Sequence, residues 1–243
     1  MTKRLEATRF ATTHWSVVHL AGRDQGSQAR AALSELCEIY WYPIYAYVRR
    51  RGYAPPDAQD LTQAFFTRLI EKHDFTNASP ERGRFRSYLV ASMMHFIAND
   101  RAWRRRLKRG GGVVHLGLEL ETAEHRYTLE PRDEITPEDL FVRRWALTVL
   151  DRTMAALRNS YSSRSKGDLF DRLQPLLTGE ADASHETLGH ELGMNEGAVK
   201  VAMHRLRRRF GTMLREEIAR TVSSEEEIDE EIRLLLEAIR RQR

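Results

Sequence analysis

The chain has 243 residues, of which 41% are hydrophobic and 30% charged, and its formal net charge is +4. No apolar run approaches the roughly 20 residues that cross a bilayer, and the N-terminal MTKRLEATRFATTHW lacks the apolar core of a signal peptide, so the sequence predicts a cytoplasmic protein with no membrane attachment. Cys37 is the single cysteine, which excludes an internal disulfide and a thiolate metal cage.

Helical periodicity dominates the chain and strand alternation is nearly absent, so the expected fold class is all-α. Residues 1–27 form an N-terminal extension containing TTHWSVVHLAG. QARAALSELCEIYWYPIYAYVRRRG then predicts two helices, broken near Pro43 and stopped at Gly52. PPDAQDLTQAFFTRLIEK opens with proline at a helix start and an Asp capping candidate, and sets Leu61, Phe65 and Leu69 on one face. DFTNASPERGRF reads as a loop. RSYLVASMMHFIANDRAWRRRLK resumes a long helix with Leu89, Met93, Phe96 and Ile97 as its apolar stripe.

The pattern breaks over residues 109–138, too long for a structureless connection inside one packed domain. This stretch reads as an acidic linker carrying Glu119, Glu121, Glu124, Glu130, Asp133 and Glu134. It divides a first helical domain, 28–108, from a second, 139–221. A C-terminal amphipathic helix, 222–243, lines Ile228, Ile232, Leu235 and Ile239 along one side, with acids first and bases last as a helix dipole favours.

Two basic blocks, RAWRRRLKR and KVAMHRLRRRF, each end an apolar helical segment, an arrangement suited to phosphate. The second lies in HETLGHELGMNEGAVKVAMHRLRRRF, residues 185–210. There Leu188 and Leu192 point inward, Gly193 supplies a tight turn and Asn195 caps the next helix. Val199, Met203 and Leu206 face back, and the small residues Gly189 and Ala198 sit where two helices must approach. That is the spacing of a helix-turn-helix, whose second helix enters the major groove while outlying basic residues, here among Lys200, His204, Arg205, Arg207, Arg208 and Arg209, hold phosphate.

Two near misses carry no chemistry. HETLGH spaces His185 and His190 five apart, on separated helix faces, whereas the zinc-binding H-E-x-x-H needs one face. RGGGVV lacks the Lys-Ser/Thr of a phosphate-cradling loop. Neither stretch predicts a metal or phosphate site; no catalytic residue or cofactor is assigned to the chain, which is read as not an enzyme.

Taken in order, three segments resemble bacterial RNA polymerase sigma factors of the extracytoplasmic-function type. DAQDLTQAFFTRLIE (57–71) is similar to their polymerase-binding helix in region two. GRFRSYLVASMMHFIANDRAWRRR (83–106) is similar to the promoter-melting and minus-ten segment. TLGHELGMNEGAVKVAMHRLRRRF (187–210) is similar to region four, the reader of the minus-thirty-five element. The resemblance covers about residues 28 to 217 and implies two partners, core RNA polymerase and promoter DNA. It implies polymerase-binding roles for Asp57, Asp60, Leu61, Gln63 and Phe66. Minus-ten roles fall on Phe85, Arg86, Tyr88, His95, Asn99, Arg101, Trp103, Arg104 and Arg105. Minus-thirty-five roles fall on Asn195, Glu196, Gly197, Lys200, His204, Arg205, Arg207 and Arg208.

These assignments fit the physical demands of opening a promoter: single strands are held by stacking platforms and positive charge, and an extruded base needs a pocket. The chain departs from the family where Gln59 and Ala64 replace usual acids, and where Val201 and Ala202 replace a usual Ser-Arg pair. In the family an anti-sigma factor is the usual restraint. Two further restraints are legible: a regulatory kinase acting on Thr62, beside the neutral Gln59, and the C-terminal helix folding onto region four or the linker. The rival reading is a helix-turn-helix transcriptional regulator that acts without polymerase; a helical metal hydrolase would need ligands on one face.

Overall fold

The computed structural model describes residues 27–71, 84–99, 120–130, 135–178, 184–220, 222 and 224–240. Among them the chain is entirely helical, with no strand. The helices are α1 (Ser27–Arg50), α2 (Pro55–Glu71), α3 (Phe85–Ala98), α4 (Leu120–Thr128), α5 (Pro137–Ser162), α6 (Gly167–Thr178), α7 (His185–Leu192), α8 (Glu196–Ala219) and α9 (Glu227–Arg240). They form two compact units, the first comprising Met1–Leu147 with Ala219–Arg243 and the second Thr148–Ile218. The division falls inside α5, not in the expected 109–138 stretch.

In the first unit α1 is the central rod. The expected break at Pro43 is absent, and the helix runs through it. Proline in a helix interior costs about 3 kcal/mol. Here the loss is offset because every residue from Ile39 to Val48 is buried, including Tyr40, Tyr45 and Tyr47; each large side chain so buried contributes about 1.5–3 kcal/mol. α2 lies along α1 and contributes Leu61, Phe65 and Leu69, the face its periodicity predicts. It begins at Pro55, so Asp57 stands in the first turn, where a carboxylate suits the helix dipole, and not at the cap. α3 adds Phe85, Leu89, Met93 and Phe96. Edge-to-face ring pairs tie it to both neighbours: Tyr40–Phe85 at 5.4 Å and Phe65–Phe96 at 5.8 Å between centroids.

The stretch read as a linker contains structure. α4 stands within it and is bound to α1 by its acids. Tyr45 Oη donates to Glu124 Oε2 at 2.6 Å, while Arg49 Nε and Nη2 donate to the same carboxylate at 2.9 and 2.8 Å. Just beyond α4, Tyr42 Oη donates to Glu130 Oε1 at 2.8 Å. Glu124 and Glu130 are therefore engaged within the unit. Glu119, Asp133 and Glu134 lie outside the described residues, as does the side chain of Glu121.

α5 opens with a reciprocal cap: Thr136 Oγ1 accepts from the Asp139 amide at 3.1 Å and donates to the Asp139 carboxylate at 2.8 Å. Its first half buries Leu140, Phe141 and Trp145 in the first unit. In the second unit, Leu157 of α5, Phe170 and Leu173 of α6, Leu188 of α7 and Val199, Met203 and Leu206 of α8 make one core.

Candidate nucleic-acid interface

The α7–α8 pair is built as its spacing predicts. Ser184 caps α7, its Oγ accepting from the Thr187 amide at 3.1 Å. α7 stops at Gly193, whose φ of +63° lies in the left-handed region that favours glycine. At Gly189 the following segment passes so close that a Cβ would meet the Met194 carbonyl oxygen at 2.6 Å; only glycine fits there. Asn195 then caps α8, its Oδ1 accepting from the Ala198 amide at 2.7 Å. Asn195 thus has a structural duty, leaving only its amide nitrogen for a ligand.

Beyond the cap, Glu196, Gly197, Lys200, His204, Arg205, Arg207 and Arg208 are all exposed. Two of them are joined: Lys200 Nζ lies 2.6 Å from Glu196 Oε1, and this contact holds the Glu196 carboxyl below the usual carboxylate range. Along the flank of α8 that carries Arg205 and Arg208, a cleft of about 460 Å³ is lined by Tyr161, Arg164, Lys166, Leu169, Ala202, Arg205, Arg208, Arg209 and Thr212. It contains five cations and no carboxylate, a surface shaped for phosphate. Arg209 is steadied there by donating from Nε to Ser160 Oγ at 3.0 Å. Arg209 stands in the basic block that the sequence already marks, whereas Arg164 and Lys166 escaped the sequence reading because the α5–α6 turn reaches this cleft only through packing against α8.

The first unit divides its expected minus-ten residues. Tyr88, His95 and Asn99, seven and four residues apart on α3, line one cleft of about 210 Å³ with Phe65, Arg68, Leu69, Ser92 and Phe96. Aromatic rings, a cation and amide and imidazole groups meet there, the kinds of group that stack on and hydrogen-bond to a base. Asn99 is oriented by donating from Nδ2 to the His95 carbonyl at 2.9 Å.

Phe85 and Arg86, expected beside them, belong elsewhere. Phe85 is core, packed between Tyr40 and Tyr88. Arg86 is buried and donates from Nη1 and Nη2 to Glu231 of α9 at 2.6 and 3.1 Å. Its guanidinium also lies 4.8 Å from the centre of the Trp145 ring. Arg84 reaches the same Glu231 at 2.8 Å, and Glu230 at 3.2 Å. Burial pushes the Arg86 pKa down and that of Glu231 up, while their mutual attraction opposes both shifts. Within the first unit the tail helix therefore docks at the start of α3, a site the sequence did not suggest. Arg101, Trp103, Arg104 and Arg105 lie outside the described residues.

On α2, Asp57 and Asp60 are exposed. Leu61, Gln63 and Phe66, also expected to meet polymerase, are 3%, 5% and 2% exposed. The helix is covered around most of its circumference from Leu61 to Thr67, so its exposed surface lies mainly in its first turns. Thr62 is likewise fully buried, and its hydroxyl donates to the Ala58 carbonyl at 2.7 Å. The folded helix gives a kinase no access to it, which removes Thr62 as a phosphorylation site.

Among the described residues no three His, Cys, Asp or Glu side chains converge to hold a metal ion, and no helix is long and apolar enough to cross a membrane. No protein family, curated protein or solved structure matches the chain.

Proposed function

We propose that the chain is a sigma-type promoter-specificity factor that joins core RNA polymerase, reads duplex DNA with α8 and holds a melted strand on the α2–α3 cleft. The observation that carries this reading is the α7–α8 unit: a capped, glycine-turned helix pair whose second helix exposes His204, Arg205, Arg207 and Arg208. A helix so placed fits the major groove of B-DNA, and the basic cleft on its flank suits the adjoining phosphates. The cleft lined by Tyr88, His95 and Asn99 supplies the second requirement, a stacking site for an unpaired base. Polymerase itself performs nucleotidyl transfer; this chain needs no catalytic group or cofactor for the role. Residues 101–109 are rich in arginine, the charge a melted strand calls for.

The two DNA sites are separable by mutation. Tyr88→Ala with His95→Ala should weaken capture of a single-stranded oligonucleotide about tenfold, as loss of one stacked base gives, and leave duplex binding by α8 unchanged. Equal loss on both probes would contradict separate sites.

A second reading, a transcriptional regulator that binds duplex DNA without polymerase, is favoured by one observation: the burial of Leu61, Gln63 and Phe66 leaves Asp57 and Asp60 as the exposed part of the expected docking set. Binding of core polymerase separates the two readings.

A further inference from the structure

We propose that Val201 reads the 5-methyl group of a thymine in the bound duplex. The inference rests on α8 being the duplex-reading helix and names one feature of the sequence it selects. Val201 is 49% exposed, the one large hydrophobic residue so exposed in the second unit among the described residues. A β-branched residue on an exposed helix position lowers helix propensity relative to alanine, so the helix gains nothing from it.

The surroundings define what can reach it. One turn earlier stands Gly197, where a Cβ would meet only Asn195 Oδ1, at 3.4 Å. The surface in front of Val201 is therefore flat and open to a base edge. Lys200 is drawn aside by Glu196 at 2.6 Å, whereas His204, one turn further on, remains exposed. Val201 thus stands at the N-terminal end of a face continued by His204, Arg205 and Arg208, whose polar and charged groups suit phosphate and base edges. An apolar side chain gains nothing from phosphate. In the major groove the one apolar group on a base pair is the thymine C5-methyl, and it matches this side chain in size and character.

Deoxyuridine pairs as thymidine does and lacks only that methyl group, which makes the test direct. The full chain, with and without core RNA polymerase, is used to enrich a random-sequence duplex pool. The enriched duplex is then resynthesised with deoxyuridine replacing thymidine one position at a time. One position should weaken binding about fourfold, the effect of leaving one methyl group unburied. Val201→Ala should bind the thymidine duplex about fourfold more weakly and be indifferent to deoxyuridine at that position. A melting temperature unchanged or slightly raised is expected for Val201→Ala at this exposed site and shows that the helix is intact. If the enriched duplex tolerates deoxyuridine everywhere, or Val201→Ala keeps the same sensitivity, Val201 is not the reader, although α8 still binds DNA. If no duplex is enriched in either setting, the inference falls together with the DNA-binding reading beneath it.

Discussion

Gly189 and Gly193 do different work, the first three residues before the end of α7 and the second immediately after it. Gly193 adopts a φ that other residues avoid, while Gly189 leaves room for the Met194 carbonyl. Gly189→Ala should therefore destabilise the second unit by about 1–3 kcal/mol, read as a lowered urea midpoint; an unchanged midpoint would mean that the close approach is not kept in solution. Glu124 gives a pH-dependent counterpart. The Arg49 guanidinium holds its carboxyl below the usual glutamate range, against the opposing effect of burial. A depressed carboxylate stabilises the fold above its unfolded pKa and loses that contribution as pH falls through its folded pKa. Glu124→Gln should cost about 1–2 kcal/mol at pH 7, and its difference from the parent should shrink as acidification passes the ordinary glutamate range and goes on through the depressed folded pKa; a difference that never shrinks in acid would contradict the pairing. Both glycines were legible because their demands are local, set by residues within a turn. Phe85 and Arg86 were not: the sequence places them beside Tyr88, but the partner that decides the fate of Arg86 is Glu231, 145 residues away.

At the scale of elements, periodicity located α2, α3, α7 and α8 well, since each has a single apolar face and a recognisable start or stop. It failed at α1, where burial of nearly the whole circumference outweighs Pro43. It failed again at α4, whose acids look like a solvated tether until Tyr42, Tyr45 and Arg49 are brought against the stretch that carries them. α9 was legible as an amphipathic helix but not in its docking site, because the apolar stripe says that something is covered and not what. Its anchor is ionic as well as apolar: Glu231 is 1% exposed and sits between Arg84 and Arg86, with Ile228 and Leu235 buried beside it. Glu231→Ala would leave the buried Arg86 uncompensated and should cost about 3–5 kcal/mol. The loss should be seen as faster amide hydrogen exchange across residues 85–98. Unchanged protection there would show that α9 does not brace α3.

For the whole molecule, the proposed function needs two DNA contacts and one protein contact, and the two compact units distribute them. The second unit carries the helix proposed to read duplex with its basic flank, and the first carries the cleft proposed for stacking and the exposed acids of α2. Conversion of Asp57 and Asp60 to Ala should lower affinity for core polymerase about tenfold and leave duplex binding intact. Loss of both would indicate that α2 acts on the fold, and loss of neither that another surface makes the contact. Most direct of all is transcription in vitro from a genomic DNA library, with the full chain added to core RNA polymerase, together with co-elution of the two. The proposal predicts a stable complex and a defined set of start sites that appear only when the chain is present. A chain that neither co-elutes with polymerase nor directs initiation at any site, yet still binds duplex DNA, would contradict the sigma-type reading and leave a regulator that acts alone.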